Sequence, residues 1–342
     1  MKIESFDDMK NLLRMEIAAT AFSTALELHL FEKLEEKPMD ANSVSLNFNI
    51  PNGRCYYWLE LLVELGLLEE LQGFYSPSSI TRTAILKTYS SDSWAQLAHY
   101  ARESYLKYNN LFETISNRSS VWKAQKISPP DWFKQIKDDP EQARRFTYLL
   151  YDLHQPYAET LANNLDMTGV KRIIDLGGGS GVNSLALLKK HSDLTAVVVD
   201  IPHVCTVGKE IAAKSTVADR ITYYAADFFQ DDLPTDIDMI LQCDAGVYTE
   251  DFFRKLCNTL NKGGQLVIVD WLTRGITDSQ PVPESSLQRK LILFDASLDN
   301  PDFEVKTSEP IKENLTKAGL VNITEQFLDN GTVIIKAQKP QN

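Results

Sequence analysis

From Phe6 to about Leu34, apolar residues recur every three or four positions: Met9, Leu12, Leu13, Ile17, Ala21, Ala25 and Leu28. That spacing predicts a helix, which Pro38 ends. A short second helix is predicted over Ser43 to Phe48, and Pro51-Asn52-Gly53 reads as a turn. A third helix, Cys55 to Leu65, puts Trp58, Leu61, Leu62 and Leu65 on one face and stops at Gly66. Leu67 to Tyr75 then reads as a β-hairpin turning at Gln72-Gly73. Three helices and a hairpin predict a winged helix. Thr83 to about Leu165 reads as linking helices, aromatic-rich from Trp94 to Phe112 and broken at Ser128-Pro129-Pro130-Asp131. Pro140 starts the last of them, which carries Phe146, Tyr148, Tyr151, His154 and Tyr157.

Past residue 166 the pattern changes to short apolar, β-branched runs separated by helical stretches. Strands are predicted near 172–176, 196–200, 221–225, 237–242, 265–270, 321–328 and 332–338, with helices alternating among the first five. Asp329-Asn330-Gly331 is a hairpin signal, so the final strand is expected to run antiparallel in an otherwise parallel sheet. The expected organisation is a first domain over 1–90, linking helices over 91–165 and a Rossmann-like α/β domain over 166–342.

Candidate chemistry lies at the strand ends. The first strand leads into Asp175-Leu176-Gly177-Gly178-Gly179-Ser180-Gly181 and then a helix from about Val182 to Lys190. The spacing is G-x-G-x-G, with Val182 at the third position of the dinucleotide fingerprint, and no Gly-Lys-Ser/Thr follows. A carboxylate just ahead of the turn repels a pyrophosphate and suits a ligand with an ammonium group, as S-adenosylmethionine has. Asp200 ends the second strand, where a ribose diol is held in nucleotide-binding sheets. Asp227 ends the third, followed by Phe228 and Phe229, which could flank an adenine ring.

In order and spacing, the segments at Asp175–Gly181, Asp200-Ile201-Pro202-His203-Val204 and Asp227 to Pro234 resemble three motifs of the class I S-adenosylmethionine-dependent methyltransferases. More narrowly, they resemble the small-molecule O-methyltransferase family that includes caffeate, hydroxyindole and bacterial antibiotic-pathway enzymes. The resemblance covers roughly the last half of the chain. It implies a seven-stranded methyltransferase sheet with an all-helical N-terminal winged-helix dimerisation domain carrying its hairpin wing. It also implies a homodimer whose N-terminal domains pack together and help close the partner's pocket, and S-adenosyl-L-methionine as cofactor. Gly177 and Gly179 would then approach the methionine part, and Asp175 its ammonium. Asp200 would hold the ribose, Asp227 and Phe228 would meet the adenine, and Gln242 stands where several members have a cofactor-contacting lysine. The helix after Pro140 would line the substrate pocket; its aromatics fit core packing equally well. A helix from Ser285 to Ser297, after Pro281-Val282-Pro283, would cap the pocket with Leu291, Phe294 and Asp295.

One departure changes the chemistry. The family's catalytic histidine position falls on Gly246 and its tryptophan position on Tyr248, and residues 242–250 contain no histidine. Either the acceptor needs no strong base, or another residue serves. Asp244 is close in sequence to the lost site, and is also read as a loop or capping acid. His154 is the histidine candidate, and also a plausible interdomain residue. Tyr248 could orient the substrate, or pack in the core. Two rival readings stay open: a non-methylating enzyme on the same scaffold, and a ligand-sensing winged-helix protein.

Composition narrows the partners. The chain has 342 residues, a net charge of −12 and 43% hydrophobic residues, as an ordinary globular protein has. Glu60, Glu64, Glu69 and Glu70 crowd the third helix and wing, where phosphate contacts need Lys or Arg, so nucleic acid is not expected as a partner. No signal-peptide pattern or spanning apolar run is present in the sequence, and a cytoplasmic location without membrane association is expected. The four cysteines, Cys55, Cys205, Cys243 and Cys257, are scattered, without metal-ligand spacing, and are expected as free thiols.

Overall fold

The computed structural model describes residues 3–129, 131–272, 287–300, 302–303, 307–328 and 332–341. The Pro281-Val282-Pro283 loop and the Asp329-Asn330-Gly331 turn lie outside these residues, as do Pro130, Ser285 and Ser286. The chain divides into two compact units, Met1–Thr114 and Ile115–Asn342.

The first unit holds α1 (Phe6–Leu12), α2 (Met15–Glu27), α3 (Leu30–Glu36), α4 (Ala41–Phe48) and α5 (Asn52–Glu64). After these come the strands β1 (Leu68–Leu71) and β2 (Phe74–Pro77), then α6 (Ser79–Ala84), α7 (Ser91–Tyr108) and α8 (Leu111–Thr114). The single helix expected over residues 6–34 is therefore three. The chain bends at Arg14, and His29 takes a left-handed backbone (φ +53°) that no α-helix continues through. The turn expected at Pro51-Asn52-Gly53 is instead the start of α5, with Pro51 just ahead of its first residue. The hairpin turns where expected: Gln72 (φ +53°) and Gly73 (φ +83°) are both left-handed, the geometry that matches strand twist in a two-residue turn. Ala25, Leu30, Phe31, Leu34, Leu59 and Leu62 bury the unit's core.

The second unit begins with α9 (Val121–Gln125), α10 (Trp132–Asp138) and the long α11 (Pro140–Asn164). Then follow β3 (Arg172–Leu176), α12 (Val182–Lys190), β4 (Thr195–Asp200), α13 (Pro202–Ala212), β5 (Ile221–Ala225) and β6 (Ile237–Cys243). The chain closes with α14 (Glu250–Thr259), β7 (Leu260–Trp271), α15 (Leu287–Asp299), α16 (Ser308–Lys317), β8 (Val321–Phe327) and β9 (Thr332–Gln338). The sheet is seven-stranded in the order β5-β4-β3-β6-β7-β9-β8. β9 lies between β7 and β8 and runs antiparallel to both, against the direction the other six strands share, as expected. Apolar residues cover both faces: Ile174, Leu176, Ile240 and Phe253 on one, Ile173, Val198, Leu241 and Leu187 on the other. Strands buried on both faces read as continuous apolar runs, which is why they were legible. The strand order reverses between β3 and β6, and a ligand crevice forms at the carboxyl ends of strands on either side of such a reversal. Among the described residues no helix is long and apolar enough to cross a membrane.

Candidate active site

Asp175 occupies the last turn-facing position of β3 and is fully buried. Its Oδ2 accepts a hydrogen bond from the Ser184 hydroxyl of α12 at 2.8 Å. Its Oδ1 is buried with no hydrogen-bond partner among the described residues. Burial pushes the carboxyl up to about 6; the Ser184 hydrogen bonds oppose the shift, and the nearby Asp200 charge adds to it. A Cβ on Gly178 would stand 2.5 Å from the Asp175 carboxyl carbon, so only glycine lets the turn close over this acid. An orphaned buried acceptor is costly unless a donor reaches it.

The turn is tied to the second strand tip. The Gly177 N–H donates to Val199 O at 2.8 Å, and the Gly179 N–H to Asp200 Oδ2 at 2.9 Å. The Ile201 N–H donates to the other oxygen, Oδ1, at 2.7 Å. Desolvation raises the Asp200 carboxyl and these two backbone donors pull it back. Each carboxylate oxygen has a second lone pair, so Asp200 can still accept from a diol.

Phe228 lies beside the turn: a Cβ on Gly177 would be 3.6 Å from its ring. Its ring centroid is 4.6 Å from that of Phe229, and both rings adjoin Phe252 of α14. Asp227 is exposed and works locally, its Oδ1 accepting from the Phe229 N–H at 3.0 Å. Gln242, fully buried at the end of β6, donates Nε2 to Val247 O at 2.8 Å, and its Oε1 has no partner among the described residues.

Asp244 leaves β6 with a left-handed backbone (φ +49°), its N–H donating to Val269 O at 3.0 Å. The Asp270 side chain, near the end of β7, lies close enough to act on its carboxyl. The tip of Asp244 meets solvent, yet surrounding protein desolvates the group and raises its pKa, with the Asp270 hydrogen bond opposing. Cys243 sits among these acids: burial raises its thiol first, and the charges of Asp175, Asp244 and Asp270 raise it further. That setting disfavours a thiolate nucleophile.

His154 is partly buried on α11, and its Nδ1 stands 2.9 Å from Leu150 O. A carbonyl only accepts, so Nδ1 carries the proton. Burial lowers the pKa, against that hydrogen bond, which leaves a neutral ring with its lone pair on Nε2. Tyr248 packs on the core, its ring 6.4 Å from Phe253, and its carbonyl accepts from Asn314 at 2.8 Å.

The structure thus brings Asp175, Gly177, Gly179, Asp200 and Phe228 together around one turn, and pairs Asp244 with a residue not singled out from the sequence, Asp270. Asp270 stands one residue before the end of its strand, as Asp175 does, and closes an apolar run in the same way, so the same signal could have found it. Ser184, the donor to Asp175, carries no sequence signal of its own.

Residues 108–319 match the family model described as the O-methyltransferase domain. The chain is 29% identical over 222 residues to 3-hydroxy-5-methyl-1-naphthoate 3-O-methyltransferase of Streptomyces sahachiroi, a match covering 64% of this chain and 62% of that protein. It is 25% identical to L-tyrosine C(3)-methyltransferase of Streptomyces lavendulae, covering 94% of this chain and 89% of the relative. Its fold is similar to that of human N-acetylserotonin methyltransferase solved in complex with SAM, with a TM-score of 0.76, 18% identity and 99% of each chain covered.

Proposed function

We propose an acceptor class, a proton acceptor and an assembly for this chain on one premise: it belongs to the O-methyltransferase domain family, and it is a methyltransferase whose methyl donor is S-adenosylmethionine. The observation that carries the proposal is the cradle at the first strand tip, where a buried acid with an open oxygen lies beneath a glycine turn held by Asp200. Asp175 is placed to favour an ammonium group, Asp200 has acceptor capacity for a ribose diol, and Phe228 offers an aromatic face beside Gly177. Asp227 is read as meeting the adenine, and Gln242 as supporting the cofactor side of the 243–248 loop through Val247. The donor supplies an electrophilic methyl group; the chain's part is to hold it in line with the acceptor and take up a proton.

The acceptor is a small hydroxylated aromatic molecule, methylated on oxygen or on the neighbouring ring carbon. The names of the two bacterial relatives support this: one is a hydroxynaphthoate O-methyltransferase, the other an L-tyrosine C(3)-methyltransferase. Both reactions gain from removing the hydroxyl proton. Asp244, paired with Asp270, is the proton acceptor, with His154 as the alternative and Tyr248 as an orienting side chain. A calorimetric titration with S-adenosylhomocysteine, followed by labelled-methyl transfer to a panel of hydroxynaphthoates and phenols, tests the reading. Micromolar binding and a labelled product are expected. Binding without transfer to any acceptor would move the chain to the non-methylating alternative.

The cradle also predicts a proton. Asp175 titrates at about 6 while its open oxygen is unmatched, and a neighbouring ammonium would lower that value. Binding at pH 6 therefore releases about half a proton, fading towards pH 8. Titration in buffers of different ionisation enthalpy measures this, and Asp175→Asn abolishes it. The sign for stability follows: a carboxyl raised from 3.8 to about 6 binds its proton more tightly when folded, so this group makes the ligand-free protein less stable as pH rises across that interval.

The assembly is a homodimer through the first unit. α1 buries none of its residues and exposes Phe6, Met9 and Leu12, and Leu13 just after it is exposed too. A groove of about 1110 Å³ in the same unit is lined by Ile17, Ala21, Leu28, Tyr57, Trp58 and Tyr105, among others. Apolar surface of this kind is covered in stable oligomers. Light scattering should show a dimer for the natural chain and a monomer for Phe6→Glu/Leu13→Glu; a monomer for both removes this part.

A further inference from the structure

We infer that Tyr223 is a positioning residue for the cofactor turn: its hydroxyl fixes the Ser180 carbonyl and so presets the glycine turn for the amino-acid end of the donor. The inference rests on reading that turn as the donor's cradle. Tyr223 stands on the edge strand β5, while the turn follows β3, and β4 lies between them. The side chain nonetheless reaches the turn, and its hydroxyl donates to Ser180 O at 2.7 Å. Ser180 is buried, and the hydrogen bonds continuing into α12 begin one residue later, with Leu185 N–H to Gly181 O. The Ser180 carbonyl therefore depends on a side chain for its partner.

The space around the ring is built for this contact. A Cβ on Gly181 would lie 2.6 Å from the Tyr223 hydroxyl oxygen. A Cβ on Gly208, in α13, would lie 2.3 Å from the Tyr223 ring and 2.9 Å from Gly179 O. The ring is thus clasped between the turn and α13, with glycine on both sides. The other described anchors of the turn to neighbouring strands restrain N–H groups, at Gly177 and Gly179. Tyr223 restrains a carbonyl, which sets the rotation of the peptide plane between Ser180 and Gly181. β5 also runs on to Asp227 and Phe228, so one strand links the adenine side of the site to the amino-acid side. Burial, with the Asp175 charge next, raises the Tyr223 phenol, so its proton stays on the oxygen at working pH.

The test is Tyr223→Phe in the full chain, which keeps the ring and removes only the hydroxyl. S-adenosylhomocysteine affinity should fall about fivefold, the equivalent of one neutral hydrogen bond. 5′-Methylthioadenosine, which lacks the amino-acid end, should bind within about twofold of the natural chain. Gly208→Ala, which crowds the ring and keeps the hydroxyl, should give the same split. Unchanged S-adenosylhomocysteine affinity in Tyr223→Phe overturns the inference, as does equal weakening of both ligands in the two variants, which would mark a packing role alone. Failure of the natural chain to bind either ligand overturns the cradle reading itself, and this inference with it.

Discussion

Asp200→Ala is expected to weaken S-adenosylhomocysteine binding about a hundredfold while leaving the chain folded. The carboxylate has two jobs. It accepts the Gly179 and Ile201 N–H groups, at 2.9 and 2.7 Å, and it offers its remaining lone pairs to a ribose diol. Hydrogen bonds to a charged group contribute about 1.5–3 kcal/mol each, so losing the two to the ligand alone comes to about 3 kcal/mol at the low end. The loss at Gly179 adds to this, because that N–H helps hold the turn. Asp200→Asn should do less damage: it keeps the shape and one acceptor but puts an amide donor against a backbone N–H or a ligand hydroxyl. Calorimetry on both variants, with circular dichroism to show that each is folded, checks the order Ala worse than Asn worse than natural. An Asp200→Ala variant that binds within threefold of the natural chain would remove Asp200 from the site.

Asp200 was legible because a strand buried on both faces is a continuous apolar run, and a polar residue closing such a run stands out. Val197, Val198 and Val199 lead to Asp200 as Ile173 and Ile174 lead to Asp175. The start of β7 was less legible. The strand begins at Leu260 rather than near 265, because Gly263 is left-handed and the pairing with β6 shifts between Ile237 and Met239. Asn261 to Gln265 are polar or glycine, so the start of the strand lacks the continuous apolar run that marks its later part. The split of the first helical stretch into α1, α2 and α3 hides for a different reason: the break at His29 is a backbone conformation in the middle of an unbroken apolar pattern. Within the site, contacts along one strand and its turn could be anticipated, whereas those made across strands could not. Gly208 and Tyr223 meet the turn from α13 and β5, and nothing in their neighbours along the chain marks them. The same holds for Ser184 beneath Asp175.

Asp244→Asn is expected to lower turnover by a hundredfold to ten-thousandfold, the range for loss of a positioned general base, with S-adenosylhomocysteine affinity unchanged within about twofold. Proximity and alignment of donor and acceptor survive the substitution and supply the residual rate. The pH profile carries the sharper information. A carboxylate base works only when ionised, and desolvation raises the Asp244 pKa above the usual carboxylate value, with the Asp270 hydrogen bond opposing. kcat/KM should therefore fall with decreasing pH through that raised pKa, and Asp244→Asn should remove this acid limb. Asp270→Asn changes the group that opposes the desolvation of Asp244, so it should move the limb rather than abolish it. His154 makes a different prediction. Burial lowers its pKa, so a His154 base would stay neutral and active to more acid pH than an ordinary imidazole, and the limb would vanish in His154→Gln instead. If both variants keep the full rate and the limb, the acceptor arrives already ionised or needs no base. The chain's contribution would then be the cradle around Asp175 and Asp200 alone, and the histidine absent from residues 242–250 would have no substitute because the reaction does not require one.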